Sequence, residues 1–294
     1  TLFRSEKQSG RKPPQKRPGV AINRRDLVYV PVPSAKLLWR GLHVRNVERD
    51  AKNRQRTDNV YIDLVVEGVS EATAWQCGLE LYYANEESFY CRPLRVGGAQ
   101  ERMTVPEEAV ALQVGFLPPL AGLAANEPLL QPGAINVRLG QGRTAEVLRN
   151  LCYEVYEQDA QSWQAVCMHL DELFGVQLRG PRFIEERGEI DMQYAEGGNT
   201  LDLSASGRGL QQTLLMLAYL YRHTNTVMMI DEPDAHIEIL RQRQVYQLIT
   251  NVAAETNNQV IIASHSAVLL EEAAERDVVV AFVGKPHRLN DRSQ

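Results

Sequence analysis

Two short apolar runs near the C-terminus, each stopping at a polar cluster, constrain this chain more than any other feature. Thr226–Ile230 stops at Asp231-Glu232-Pro233, and Gln259–Ala263 stops at Ser264-His265-Ser266. Apolar runs of this length, bounded by turn residues, read as strands buried on both faces. Between them, Ile237–Ala254 repeats apolar residues at helical spacing, with Ile237, Leu240, Val245, Leu248, Ile249 and Val252 on the inner face. Upstream, Gly209–His223 is apolar nearly all round, through Leu210, Leu214, Leu215, Leu217 and Leu220, and reads as a buried helix. Downstream, Ser266–Ala274 reads as a helix and Asp277–Val283 as a third strand. Strand, helix, strand, helix, strand predicts an α/β fold with a mostly parallel core sheet and helices on its faces.

The preceding residues have a different texture. Val60–Val66, Trp75–Tyr83 and Ser88–Leu94 alternate well enough to be strands, and Ala84-Asn85-Glu86-Glu87 reads as a hairpin turn, giving an antiparallel β meander. Val110–Leu117 is expected as one buried strand ending at Pro118-Pro119. Residues 143–174 carry two helical periodicities, and Glu189–Tyr194 with Asn199–Leu203 reads as a strand pair around Gly197-Gly198. The expected organisation is an N-terminal lobe over 1–142, a helical subdomain over 143–188, and a C-terminal lobe over 189–294.

In a parallel sheet, ligands gather at the carboxyl ends of the strands. If the strands ending at Asp231 and Ala263 are neighbours, two carboxylates and an imidazole converge on one edge. Phosphoryl transfer to water uses such a set: one acid for Mg²⁺, one to orient or deprotonate water, and a neutral donor for the phosphate. Ahead of them Leu203–Gln212 forms a small-residue turn opening a helix, where exposed N–H groups and the helix dipole favour an anion. Each piece alone has a bland reading: Asp-Glu-Pro as a helix start, His265 as a structural histidine, Ser206-Gly207-Arg208-Gly209 as a plain turn. Their order along one chain favours the chemical reading.

That order resembles the C-terminal half of an ABC-type ATPase head, of the SMC/RecF-like branch and the AAA-type proteins related to the OLD (overcoming lysogenization defect) family. The resemblance covers residues 199–288 closely and implies a P-loop NTPase fold, ATP and Mg²⁺ as cofactors, and ATP hydrolysis. It makes Asp231 the metal residue, acting through water, and Glu232 and His265 the catalytic base and switch histidine. Asp234 and His236 resemble a D-loop at a dimer interface. Ser206, Gly207, Arg208 and Gly209 resemble the signature turn, which completes the nucleotide site of the other subunit in a homodimer. Gln113, on the Val110–Leu117 strand, is the weak candidate for the Q-loop; Gln211 and Gln212 read as supports of the turn.

The sequence also departs from that family. Its Walker A loop, G-x-x-x-x-G-K-[ST], is absent: the single Gly-Lys, Gly284-Lys285, precedes Pro286. The expectation is that the loop lies upstream of Thr1 and that these residues bind ATP weakly alone. Beyond Val283–Arg288 the OLD-like relatives continue into a TOPRIM nuclease domain, fused or as a partner.

Net charge is -5, yet residues 1–56 hold 15 Lys/Arg against 4 Asp/Glu. Ser5–Pro18 reads either as a solvated basic loop or as a patch for DNA phosphates, with Arg11, Lys12, Lys16 and Arg17 at its centre. No run approaches the length of a membrane helix, no apolar signal segment opens the chain, and Cys77, Cys91, Cys152 and Cys167 lack metal spacing. A cytoplasmic protein without a membrane partner is expected, with a role in DNA repair or phage defence. Two other readings stand beside the ATPase. One is a non-hydrolysing, DNA-associated dimerisation module. The other is a transporter ATPase subunit, which the Asp231–His236 continuation and the diverged turn disfavour.

Overall fold

A computed structural model describes residues 19–49, 55–70, 72–95, 101–281 and 287–288. Ser5–Pro18 and residues 282–286 lie outside the described residues. The chain divides into two compact units, Thr1–Leu112 and Gln113–Gln294.

The first unit holds β1 (Val20–Asn23), β2 (Arg45–Arg49), β3 (Gln55–Asn59), β4 (Tyr61–Ser70), β5 (Thr73–Asn85), β6 (Ser88–Pro93) and helix α1 (Glu107–Ala111). Strands β4, β5 and β6 form the expected meander, β1 extends it in the order β1-β6-β5-β4, and every pairing is antiparallel. Alternation sends Leu79, Leu81, Phe89, Cys91 and Ile22 to one face, where Trp39 and Ala35 close a buried core. The Trp39 indole N–H donates to the Val60 carbonyl at 2.8 Å, so the polar end of this core residue is met.

The second unit runs β7 (Gln113–Leu117), α2 (Pro132–Gly140), α3 (Leu148–Gln158), α4 (Ala160–Phe174), β8 (Gln177–Leu178), β9 (Arg182–Ile184), β10 (Glu189–Asp191), β11 (Gln193–Glu196), β12 (Asn199–Asp202), α5 (Arg208–Arg222), β13 (Thr226–Asp231), α6 (Ile239–Glu255), β14 (Gln259–Ala263), α7 (Ala267–Arg276), β15 (Val280–Ala281) and β16 (His287–Arg288). Its core sheet is parallel, in the order β14-β13-β7. Helix α5 is buried from Leu210 to Leu220 and packs on the sheet through Tyr219, whose hydroxyl donates to the Phe116 carbonyl at 3.2 Å. Gly115 permits this approach: a Cβ there would stand 3.0 Å from both the Tyr219 hydroxyl and the Met228 sulfur. Antiparallel meander, helical segment and parallel core sheet make up the architecture expected.

Four expectations change. Val110–Leu117 is not one strand: after Pro106, Glu107–Ala111 closes a helical turn with two acids at its N-terminal end, and β7 begins at Gln113. The strands of the core sheet are not buried on both faces throughout: Val114 (48%) on β7, Met229 (38%) on β13 and Ile261 (55%) on β14 are exposed together on one of them. Leu240 is 88% exposed, because α6 starts at Ile239 and its inner stripe runs through Val245, Tyr246, Ile249 and Val252. The strand expected over Asp277–Val283 is the two-residue β15, paired antiparallel with β16 outside the core sheet.

Among the described residues no helix is long and apolar enough to cross a membrane. All four cysteines are free, and burial pushes the Cys77 and Cys167 thiols up to about 11.

Candidate functional site

The parallel register decides the site. Asp231 ends β13 level with Ala263, which ends β14, so Asp231-Glu232 and Ser264-His265 leave adjacent strands at the same edge. The Glu232 N–H donates to the Ala263 carbonyl at 2.8 Å, extending the pairing one step past the strands. Asp231 is half-buried, while Glu232 and His265 are exposed.

Beyond β13 the backbone is held in costly conformations. Glu232 has φ of 45° and His236 φ of 65°, left-handed values that cost a residue with a Cβ of order 1–3 kcal/mol. Glu232 also precedes Pro233, which disfavours helical geometry in the residue before it. Such strain persists only where neighbours over-determine it. Here the Ala235 N–H donates to the Glu232 carbonyl at 3.0 Å and the Ile237 N–H to Asp234 at 3.0 Å. The Ser264 hydroxyl donates to Asp234 Oδ1 at 2.6 Å, tying the expected D-loop to the end of β14. The Ser266 N–H donates back to Ser264 Oγ at 2.9 Å, and the Ser266 hydroxyl to Gln242 Oε1 at 2.7 Å. His265 therefore projects from a backbone fixed on both sides.

The small-residue turn is fixed differently. Asp202 at the end of β12 accepts the Ser204 N–H at 2.8 Å, capping the 3-10 turn Leu203–Ala205. Behind it, Arg149 on α3 is 1% exposed; it donates to the Ala124 carbonyl at 2.8 Å and to Asp202 Oδ1 at 3.0 Å. Burial pushes the Asp202 carboxyl up, but the Ser204 hydrogen bonds and Arg149 outweigh it and hold it below its ordinary value. Glu127 in turn anchors the start of α3, accepting the N–H groups of Arg149 (2.9 Å) and Asn150 (2.6 Å); its burial raises it above the usual carboxylate value against those bonds. Ser206 donates its N–H (3.1 Å) and its hydroxyl (2.7 Å) to the Leu203 carbonyl. Gly207 is the N-cap of α5 and brings no side chain to cap it, so the first N–H groups of the helix receive no side-chain acceptor from that position.

The two halves meet at Gly209. A Cβ there would stand 3.1 Å from the His236 carbonyl oxygen, so the start of α5 and the Asp234–His236 segment lie against each other. Gln113 does not join them. It opens β7 level with Thr226, at the opposite end of the sheet from Asp231, because a parallel strand presents only its last residues to the carboxyl edge. The loop that does follow β7 is held from α5: Leu120 N–H donates to Gln212 Oε1 at 2.8 Å.

Among the described residues no cluster of three or more His, Cys, Asp or Glu is placed to hold a metal alone. Mg²⁺ in phosphoryl transfer takes one or two carboxylates and completes its shell with phosphate and water, and the half-buried Asp231 at the end of β13 fits that requirement.

Sequence reasoning missed Arg149, Asp202 and Glu127. The Asp202-Leu203-Ser204 spacing is a legible Asx cap, whereas nothing local marks Arg149 or Glu127.

Residues 168–271 match the family described as "AAA domain, putative AbiEii toxin, Type IV TA system". No curated protein matches the sequence. Among solved structures, the SMC head domain from Thermotoga maritima is 13% identical, covering 79% of this chain and 75% of its own, with a TM-score of 0.45. An SmcHead bound to the C-winged helix domain of ScpA is 14% identical over 81% of this chain and 76% of its own, at 0.44. An Smc head domain with an extended coiled coil, bound to the C-terminal domain of ScpA and derived from Pyrococcus furiosus, is 12% identical over 74% and 72%, at 0.40. Likenesses at these scores carry none of the residue assignments above.

Proposed function

We propose that this chain, an AAA-type ATPase over residues 168–271, hydrolyses ATP at the carboxyl edge of β13 and β14, each site being completed by a second copy. One observation carries the reading: the register that sets Asp231-Glu232 beside Ser264-His265, with the strained segment between them.

In this reading Asp231 holds Mg²⁺ through water, and the ion when bound supplies charge neutralisation to the phosphates. Glu232 accepts a proton from the water that attacks the terminal phosphorus, while the bond to the leaving diphosphate oxygen breaks. His265 donates a hydrogen bond to the terminal phosphate. The N–H groups of Gly207 to Gly209 contribute donors to the partner's nucleotide, and the Ser206 hydroxyl joins them by turning away from the Leu203 carbonyl. Ile239 and Leu240, 71% and 88% exposed directly after the Asp234–His236 segment, support a partner surface beside that turn. We extend the reading to DNA repair or phage defence on the basic excess of residues 1–56.

The test is complementation between two variants of the protein. Glu232→Gln removes the base from a chain's own site, and Ser206→Arg obstructs the site of its partner. Each variant alone should be inactive, and an equal mixture should regain about a quarter of wild-type turnover, since half the dimers then hold one intact site. A mixture as silent as its components overturns the shared site, and undiminished turnover in Glu232→Gln overturns the base.

A further inference from the structure

Gln211 and Gln212 stand side by side on the first turn of α5 and hold two different loops. Gln211, 4% exposed, donates from Nε2 to the Ser206 carbonyl at 3.0 Å and to the Leu203 carbonyl at 3.3 Å. Gln212, fully buried, accepts the Leu120 N–H at 2.8 Å, while its Nε2 has no hydrogen-bond partner among the described residues. A buried donor without an acceptor is unfavourable, and an apolar side chain of the same volume would avoid it. The physical return for an amide at 212 is therefore the bond to Leu120.

Leu120 lies just past β7, at the carboxyl edge, because Leu117 pairs level with Ile230. The Pro119–Ala121 part of that loop has a further anchor in Thr144, and farther along the Ala124 carbonyl accepts from Arg149 and the Ala124 N–H donates to the Ala145 carbonyl. Thr144 Oγ1 accepts the Ala121 N–H at 2.9 Å and donates to the Pro119 carbonyl at 3.0 Å. Adjacent residues of one helical turn cannot move independently. A shift of the Pro119–Ala121 segment that preserves the Leu120–Gln212 bond therefore displaces the start of α5, and with it the carbonyls that Gln211 holds.

We propose that Gln211 and Gln212 are positioning residues that couple the loop after β7, beside the chain's own Asp231-Glu232, to the Leu203–Gly207 turn. The turn's role toward a partner's nucleotide rests on the proposed function; the coupling is internal to one chain and is measured without nucleotide. Through it, the state of one site adjusts the donors offered to the other.

The experiment is amide hydrogen exchange on the full chain without ATP, read at Leu120 and at Ser206, whose N–H donates to Leu203. Ile190, whose N–H donates to the Glu127 carbonyl, gauges general loosening. Thr144→Val removes the hydrogen bonds that Thr144 makes to Pro119 and Ala121. It should speed exchange about fivefold or more at Leu120 and Ser206, the scale of one lost hydrogen bond, and leave Ile190 unchanged. Adding Gln212→Met should abolish the response at Ser206. Where Gln212→Met does not fold, Gln211→Met cuts the other bond and should leave the Leu120 response while removing that at Ser206. A response confined to Leu120, an equal response at Ile190, or persistence at Ser206 with the amide removed each overturns the coupling. Loss of ATP hydrolysis in the wild type would overturn the proposed function and leave this result standing.

Discussion

The two halves of the candidate site are held in opposite ways. The Leu203–Gly207 turn has ordinary backbone angles and a dense set of side-chain bonds, from Asp202, Arg149 and Gln211. The segment after β13 has two left-handed residues with side chains, and one side-chain bond, Ser264 to Asp234, ties it to β14. In the proposed function, the difference separates a part that must keep its shape to present N–H donors from a part whose strain is stored beside the chemistry. Capping and burial stabilise the first, while sheet register and tight turns impose the second.

Four outcomes would break or sharpen that contrast. The largest belongs to the strained half: Glu232→Gln should lower turnover roughly 10²-fold or more, with the thermal midpoint unchanged, as loss of a positioned base does. A matching fall in thermal stability would mean that the carboxylate is structural. Next, Arg149→Met on the rigid half should cost about 2–3 kcal/mol in urea unfolding, because it strips the Ala124 carbonyl and Asp202 of a buried donor. A loss below about 0.5 kcal/mol would show that the turn does not depend on its bracing.

The third outcome is a pH dependence. Asp202 lies below its unfolded value, so its contribution is present above the ordinary carboxylate range and is lost as pH falls through the lowered one. Asp202→Asn should flatten this acid limb; an unchanged limb would remove Asp202 from the bracing. The smallest effect is expected at the strained residue itself. Glu232→Gly should leave stability unchanged or raise it by up to about 1 kcal/mol, where glycine in ordinary extended backbone would lower it by a similar amount. A clear loss would mean that φ of 45° carries no strain.

The legible part of the site was the part written in local pattern. The runs ending at Asp231 and Ala263 announce two strands and their polar ends, and the buried α5 announces itself by being apolar all round. The expectation for Gln113 failed because a one-dimensional run does not say which end of a strand faces the carboxyl edge; its pairing with Thr226 does. The Gln212 role was hidden because its partner Leu120 lies 92 residues away, and the Arg149 role because Asp202 lies 53 away. The left-handed φ of Glu232 has no signature either, since the residue before a proline is ordinarily extended.

By itself the sequence determined the alternation of strands and helices, the antiparallel meander and the order of the polar clusters, because side-chain period and turn chemistry act over a few residues. Only tertiary structure decided that Asp231 and Ala263 are level, that Met229 and Ile261 are exposed on one face of β13 and β14, and that Gly209 lies against the His236 carbonyl. Those facts depend on which distant segments pair and pack, and no short-range preference of the chain encodes them.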